Sequence, residues 1–267
     1  MTMESDSQMS QAVAGAQGQE QESPKSPERV FIREGFAWDR QKAYLFDIDG
    51  TLLRSRDRVH FDCFARSVKH VMGHELNFEG VSVHGSTDTA ILRDAFRASN
   101  IDDAEWKPQL EPILALMRQT VTEQRGSLQP FLMPGVEAVL RHLKDAGALL
   151  GLATGNLEVI GWLKIEAVGL KQWFRFGGFS DQFDIRAEMI AHAAKLARRI
   201  AGHDATVCVV GDTPADISAA KANSLPTIAV ATGHSSFDEL TEHSPEVCTT
   251  TLAELLRVTT SPAKSET

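Results

Sequence analysis

Short apolar runs alternate with amphipathic stretches along most of the chain. Five runs of four to six mainly apolar residues are typical of buried β-strands. They span residues 42–46, 148–153, 176–179, 206–210 and 227–231. Parallel strands that are buried on both faces have continuous apolar sequences, so these runs predict strands inside a covered sheet.

Between these runs, apolar residues recur with the spacing of a helix. One helix is predicted to open at Pro134 and Gly135, with apolar residues at i, i+3, i+4 and i+7, and to close at Gly147. Others are predicted over residues 157–168, 187–201 and 215–222. This alternation predicts an α/β fold: a Rossmann-like core with a parallel sheet flanked by helices on both sides.

Residues 55–127 show helical spacing without strand-like runs, which predicts an α-helical cap inserted after the first strand. The cap would lie at the carboxyl end of the sheet, where open α/β folds bind ligands. The predicted organisation is a disordered tail over 1–35, a core formed by 36–54 and 128–258, a cap over 55–127, and a flexible tail over 259–267.

Charge and cysteine content narrow the possible partners and compartment. The 267 residues include 27 Lys plus Arg and 36 Asp plus Glu, a formal net charge of −9. Binding to nucleic acid or an anionic membrane requires concentrated Lys and Arg, so neither is an expected partner. The three cysteines have no disulfide or zinc-site spacing. Without a secretory signal or an apolar run long enough to span a bilayer, we expect a cytoplasmic protein.

Polar segments follow four of the five predicted strands. They are residues 47–51, residues 154–156, Arg186 and residues 211–216. Because parallel strands place their carboxyl ends on one edge of a sheet, these segments should lie close together. The second segment, with a hydroxyl and a glycine before a predicted helix, predicts an anion-binding cradle.

The same convergence brings several carboxylates to one place. Asp47, Asp49, Asp212 and Asp216 would repel one another without a cation, so we expect a divalent ion that prefers oxygen ligands, most plausibly Mg²⁺. No His or Cys belongs to the cluster, which disfavours zinc.

These segments resemble the four motifs of the haloacid dehalogenase superfamily, in the branch of phosphatases that carry a helical cap of the C1 type and include phosphoglycolate phosphatase. The resemblance covers about residues 42–250. An isolated Asp-x-Asp-Gly-Thr motif is a weak signal. Four motifs in order, each after a predicted strand and with a helical insert in the expected place, are specific.

The resemblance implies the roles of the four aspartates. Asp47 would be the nucleophile that forms an aspartyl-phosphate, and Asp49 would protonate the leaving oxygen and then activate water. Asp47, the backbone carbonyl of Asp49, and Asp212 would hold Mg²⁺, with Asp216 supporting the site. The two catalytic aspartates can differ in protonation if metal and cation lower the pKa of Asp47 while the surroundings of Asp49 favour its proton.

The resemblance also implies the substrate-binding residues. Thr154 and the amide of Gly155 would bind the phosphoryl oxygens, and Asn156 completes the same loop. In the cap, Ser86 and Thr87 belong to a polar segment that resembles the substrate-facing loop of helical caps. A solvated turn with Thr87 as a helix cap is an equal alternative.

Arg186 departs from the family pattern, which usually has Lys at this position. It would pair with Asp47 and the phosphate, and its place immediately before a predicted helix favours it over Lys171 or Lys195. Arg keeps the charge of Lys but is longer and planar.

The function predicted from the sequence is Mg²⁺-dependent hydrolysis of a small phosphorylated metabolite through an aspartyl-phosphate. A phosphomutase of the β-phosphoglucomutase type is the alternative enzyme, although Gly50-Thr51-Leu52 is closer to the phosphatases. A catalytically silent regulatory module is the alternative from another class, and the intact aspartates argue against it.

Overall fold

The computed structural model describes residues 29–260, and the parts of the predicted tails over residues 1–28 and 261–267 lie outside that range. The strands are β1 Val30–Ile32, β2 Ala43–Phe46, β3 Leu53–Ser55, β4 Pro130–Leu132, β5 Leu149–Ala153, β6 Gly177–Gly178, β7 Val207–Gly211, β8 Thr227–Val230 and β9 Val247–Thr249. The helices are α1 Val59–Met72, α2 Asp88–Ala98, α3 Asp103–Trp106, α4 Leu110–Glu123, α5 Val136–Asp145, α6 Glu158–Ala167, α7 Arg186–Ala201, α8 Pro214–Ala222, α9 Phe237–Glu242 and α10 Leu252–Thr260. Within residues 29–260, no helix has the length and apolar character needed to cross a membrane.

Within the described residues, one sheet has the strand order β1-β9-β8-β7-β2-β5-β6. Its neighbouring strands are parallel except for the edge pair β1 and β9. Strand β2 lies between β5 and β7, with Phe46 opposite Leu152 and Val210. The segments after these three strands therefore emerge side by side. The mostly parallel α/β fold predicted from the sequence is confirmed.

Strand β2 is completely buried because helices cover both faces of the sheet. Tyr44 and Phe46 belong to one apolar cluster together with Leu140 of α5. Leu45 belongs to a second cluster together with Ile190 of α7. Alternate side chains of a strand point to opposite faces, so a continuous apolar run is what a covered central strand requires.

Three boundaries differ from the sequence predictions. Residues 30–32, predicted to lie in the disordered tail, form β1 and pair with residues 247–249. Three residues are too few to show a strand period, and their partner is far along the chain. Residues 259–260, predicted to lie in the flexible tail, end α10. The strand predicted over residues 176–179 is reduced to Gly177–Gly178.

The cap consists of α1 to α4, which lie between β3 and β4 in the chain. Strands β3 and β4 pair with each other and form the neck that joins the cap to the core. The cap has its own apolar cluster, which includes Phe64, Phe96 and Met117. Leu157 and Ile160, at the start of α6, complete this cluster from the core. Cap and core therefore share buried apolar surface.

Candidate active site

The loop after β2 makes the tight turn that the spacing of Asp47 and Asp49 requires. Gly50 has φ = 90°, and a Cβ there would overlap the carboxylate of Asp212. Its N–H donates to the carbonyl of Leu53 at 2.8 Å, which closes the turn. Asp47 is buried at the strand end, whereas the side chain of Asp49 is 44% exposed.

Three buried carboxylates meet beside this turn. Asp47, Asp212 and Asp216 each offer an oxygen atom within 4.8 Å of the others. Asp212 follows β7 and accepts a hydrogen bond from Thr51 Oγ1 at 2.9 Å. Asp216 forms a capping box with Thr213 at the start of α8, and its Oδ2 accepts from Thr213 Oγ1 at 2.7 Å. Two strand ends and one helix start thus build the acidic cluster.

Arg186, the first residue of α7, lies against this cluster. Its Nη2 is 3.1 Å from Asp47 Oδ1, and its Nε and Nη2 donate to Asp216 Oδ1 at 3.0 Å and 2.6 Å. Lys171, an alternative considered from the sequence, instead lies 3.8 Å from the centroid of the Trp162 ring. Lys195, the other alternative, is exposed on α7.

The electrostatics of the cluster fit a divalent cation. Three carboxylates against one guanidinium leave two negative charges unbalanced when all are ionised. Burial, reinforced by Asp216 and Asp49, raises the pKa of Asp47 to about 7 despite Arg186. Burial and the neighbouring Asp47 and Asp216 raise the pKa of Asp212 well above its usual range. The oxygen-only cluster could therefore hold a divalent metal ion.

The surroundings of Asp49 contain a residue that sequence reasoning missed. Lys164, buried on α6, donates to Asp49 Oδ2 at 2.7 Å and to Asn156 Oδ1 at 2.8 Å. Asn156 Nδ2 also donates to Asp49 Oδ2, at 2.8 Å. A lysine among buried positions of α6, four residues after Ile160, was the available signal.

These contacts set the pKa of Asp49. Burial raises the pKa, but the charge of Lys164 and the hydrogen bonds from Lys164 and Asn156 outweigh it, so the pKa lies below its usual range. Without a metal ion, the pKa of Asp47 is raised and that of Asp49 is lowered. This is the reverse of the order expected when a metal lowers the pKa of Asp47. The expectation applies to Asp47 with a metal ion bound and stays a prediction; it did not include Lys164 or the mutual repulsion within the acidic cluster.

The predicted phosphate cradle follows β5. The N–H of Thr154 donates to the carbonyl of Gly178 at 3.1 Å, which extends the pairing of β5 with β6. Thr154 Oγ1 accepts from Asn156 Nδ2 at 2.7 Å. A Cβ on Gly155 would overlap the carbonyl oxygen of Ser86, so the cap loop lies directly on this segment.

The cap loop that contains Ser86 and Thr87 is docked on the core. Thr87 Oγ1 caps α2 by accepting from the N–H of Ala90 at 3.1 Å, and it donates to the carbonyl of Asp184 at 3.0 Å. The hydroxyl of Thr87 is thus engaged within the protein. A substrate-binding role for Ser86 and Thr87 stays a prediction.

Two histidines meet where the cap loop approaches the core. The rings of His84 and His234 have centroids 3.5 Å apart, and Arg54 Nη2 donates to the carbonyl of Gly233 at 2.7 Å. Burial, His84 and Arg54 lower the pKa of His234 to about 4, and burial and Arg54 lower that of His84. Both imidazoles are therefore neutral near neutral pH.

The protein has a mostly parallel sheet, aspartates after two adjacent strands, and an arginine that pairs with them beneath an inserted helical cap. These features define a hydrolase with a Rossmann-like core and a helical cap. The family model for haloacid dehalogenase-like hydrolases matches residues 41–223. The chain belongs to this family, as its sequence motifs predicted.

Named relatives agree with this assignment. Phosphoglycolate phosphatase from Mesorhizobium japonicum is 28% identical over 71% of this chain and 82% of its own length. The enzyme of the same name from Xanthomonas campestris is 30% identical over 72% of this chain and 84% of its own. A crystal structure from Haemophilus somnus, described as a predicted phosphoglycolate phosphatase, covers 82% of this chain and 98% of its own with a TM-score of 0.59 and 19% identity. The family and the two relatives named phosphoglycolate phosphatase support phosphatase activity, and the crystal structure agrees with the fold.

Proposed function

We propose that the protein is a Mg²⁺-dependent phosphatase that hydrolyses a small phosphorylated metabolite through an aspartyl-phosphate on Asp47. The observation that carries the proposal is the placement of Asp47 at a buried strand end, in contact with Arg186 and within the acidic cluster, while the side chain of Asp49, two residues later, is 44% exposed. A nucleophile and an acid–base group thus lie on one turn.

Two half-reactions follow from this geometry. A carboxylate oxygen of Asp47 attacks phosphorus, the bond from phosphorus to the ester oxygen breaks, and Asp49 gives a proton to that oxygen. Asp49 then takes a proton from the water that attacks the aspartyl-phosphate, which releases inorganic phosphate and restores Asp47. A phosphate dianion bound beside Asp49 would raise its pKa by repulsion, against the lowering by Lys164, and so favour the protonated form that the first step needs.

The phosphoryl oxygens need positive potential and hydrogen-bond donors. Arg186 supplies charge beside Asp47, and the Thr154 hydroxyl and the N–H of Gly155, in the loop before α6, would bind phosphoryl oxygens. Both oxygens of Asp216 already accept hydrogen bonds from Arg186 and Thr213, so Asp47 and Asp212 would be the main metal ligands and Asp216 a support. Bound Mg²⁺ would neutralise developing charge on the phosphoryl oxygens.

The substrate class we propose is a small phosphate ester whose leaving group carries a carboxylate, such as phosphoglycolate. The docked cap loop restricts the cleft, because Ser86 lies against Gly155 and His84 against His234. Arg54 and the two neutral imidazoles offer donors to a carboxylate at this edge of the cleft. The relatives named phosphoglycolate phosphatase agree with this chemistry.

We also propose a cytoplasmic location. Cys63, Cys208 and Cys248 are all free and buried, which suits a reducing compartment.

The first test measures release of phosphate from p-nitrophenyl phosphate by the full chain, with and without Mg²⁺. Asp47→Asn is the control, since it keeps the shape of the side chain and removes the nucleophile. Equal rates for the two proteins would contradict the proposal and favour a silent regulatory module.

A second measurement supplies a panel of phosphorylated metabolites and follows both phosphate release and isomeric products. We expect phosphate release, with the highest kcat/KM for small phosphorylated acids. Conversion of a hexose 1-phosphate to its 6-phosphate without phosphate release would establish a mutase instead.

A further inference from the structure

Lys164 is held by a complete set of acceptors although its side chain is only 5% exposed. Its Nζ lies 2.7 Å from Asp49 Oδ2, 2.8 Å from Asn156 Oδ1 and 3.0 Å from His60 Nδ1. An ammonium group has three donors and no acceptor, so these contacts use all three of its hydrogens. The side chain is therefore fixed in a single position.

The contact with Lys164 defines the tautomer of His60. Lys164 can only donate, so Nδ1 of His60 accepts and the ring proton lies on Nε2. Nε2 then donates to Asp88 Oδ2 at 3.0 Å, and the same oxygen accepts from the N–H of Leu157 at 2.8 Å. A continuous chain of hydrogen bonds runs from Asp49 to Asp88.

This chain crosses from the core to the cap. Asp49 and Lys164 belong to the core, whereas His60 lies on α1 and Asp88 begins α2. Within the described residues, the side-chain hydrogen bonds to Asp49 all fall on Oδ2, although the side chain is 44% exposed. Oδ1 accepts none of these hydrogen bonds, so it would be the oxygen that transfers the proton.

We propose that Lys164 is a positioning residue that fixes Oδ2 of Asp49, and that the cap holds Lys164 in place through His60 and Asp88. Acid–base catalysis by Asp49 then depends on a seated cap, whereas attack by Asp47 does not. The inference rests on the proposed phosphatase function and adds to it the coupling between cap and acid.

Packing alone does not account for a charge at this position. Burying an ammonium group is unfavourable unless its hydrogen-bond partners offset the lost hydration. Replacing a buried ion pair by well-packed apolar residues is often neutral or stabilising. The neighbouring buried positions of α6, Ile160 and Ile165, are apolar. We therefore attribute the charge at this position to the contact of Lys164 with Asp49.

The test exploits the dependence of acid catalysis on the leaving group. Phenolate is a poor leaving group that needs a proton, whereas p-nitrophenolate leaves without one. First-turnover release of each phenol is measured for the wild type and for Lys164→Met, which keeps the length of the side chain and removes its charge. Because Lys164 also lowers the pKa of Asp49, its loss by itself favours the protonated acid, so the rates are compared at the pH optimum of each protein. There we expect a loss of roughly 100-fold with phenyl phosphate, caused by the loss of positioning, and of less than about 3-fold with p-nitrophenyl phosphate.

Two further variants isolate the cap's contribution. His60→Leu removes the acceptor for Lys164 and should give a leaving-group-dependent loss of about 10-fold. His60→Gln can accept from Lys164 and donate to Asp88, so it should restore most of the lost rate. Lys171→Met is the matched control, because Lys171 contacts Trp162 and not the site. It should match the wild type with both esters.

A double-mutant cycle completes the test. If Lys164 acts through Asp49, then Lys164→Met in an Asp49→Asn background should cost little further rate with phenyl phosphate. Equal losses with both esters, or an undiminished loss in the Asp49→Asn background, would overturn the inference while leaving the phosphatase intact. Failure of the proposed function itself would appear separately, as an inactive wild type.

Discussion

Two cations flank the aspartate pair, and they are embedded in different ways. Arg186 at the start of α7 is paired with Asp47 and Asp216, both in the core, and its contact with the cap is one 3.3 Å hydrogen bond to the carbonyl of Gly85. Lys164 is paired with Asp49 in the core, but one of its three hydrogens goes to His60 on the cap.

This difference separates the two halves of the chemistry. The nucleophile and the acidic cluster are held together by core residues, with one hydrogen bond from Arg186 to the cap. The partners of the acid–base group Asp49, which are Lys164 and Asn156, belong to the core, but Lys164 has its full set of partners only with His60 of the cap in contact. If Lys164 positions Asp49 as proposed, a site divided in this way ties proton transfer by Asp49 to the docked cap and leaves the nucleophile in the core.

The largest expected effect comes from removing the nucleophile Asp47, whose partners lie in the core. Asp47→Asn should lower kcat by at least about 10⁴-fold, because the nucleophile is lost while binding is retained. The same change should raise the thermal stability of the metal-free protein near neutral pH, since it removes one carboxylate from a repelling cluster. Differential scanning calorimetry with steady-state kinetics checks both parts. Retained activity would place the nucleophile elsewhere.

Arg186→Met tests the same part of the site by removing the cation that pairs with Asp47 and Asp216. Losing the guanidinium leaves Asp47 and Asp216 buried without it, so we expect a loss of about 3–5 kcal/mol in the free energy of unfolding. Activity should fall roughly 10²–10³-fold, and equally for phenyl and p-nitrophenyl phosphate. Arg186→Lys, which keeps the charge, is the control and should recover part of both losses. A loss confined to poor leaving groups would remove the distinction between the two cations.

Gly155→Ala tests how strongly the cap must be seated. Its Cβ would overlap the carbonyl oxygen of Ser86, so the cap loop must shift. We expect a loss of roughly 10-fold in kcat/KM, larger for phenyl than for p-nitrophenyl phosphate. Gly126→Ala is the matched control, since a Cβ there meets nothing within 4 Å. Identical kinetics for the two variants would show that the contact is unimportant.

The smallest effect concerns metal and pH. The pKa of Asp47 is raised to about 7, and that of Asp212 is also raised. At pH values above the ordinary pKa of an aspartate, the native chain therefore binds more protons than the unfolded chain. The stability of the metal-free protein should therefore fall as pH rises towards neutrality. A divalent ion relieves this repulsion, so Mg²⁺ should raise Tm by a few degrees at about pH 8 and by less at about pH 5.5. Equal shifts at both pH values would contradict the charge balance of the cluster.

The residues around the nucleophile Asp47 could be predicted from the sequence, and the residues that link Asp49 to the cap could not. Asp47, Thr154 and Asp212 each follow a predicted strand, and parallel topology alone brings strand ends together. Arg186 was identified by its place at a helix start. All these positions depend on local signals and one topological rule.

Lys164 has no such signal. It lies in the middle of a helix, and its partners Asp49 and His60 lie more than a hundred residues away. Helical periodicity shows that it falls on a buried face, but the reason for a charge there depends on how the cap docks. The short edge strand β1 escaped prediction for a related reason, because its partner is distant and its own pattern too brief.

The shared apolar cluster of cap and α6 has a consequence for how the chain folds. During synthesis the cap helices are complete at Glu123, but Leu157 and Ile160, which finish their core, follow more than thirty residues later. Until then the cap exposes an unfinished apolar face to the ribosome exit and to chaperones. The cap is thus continuous in sequence, but its apolar cluster is completed only by the segment that also carries Lys164.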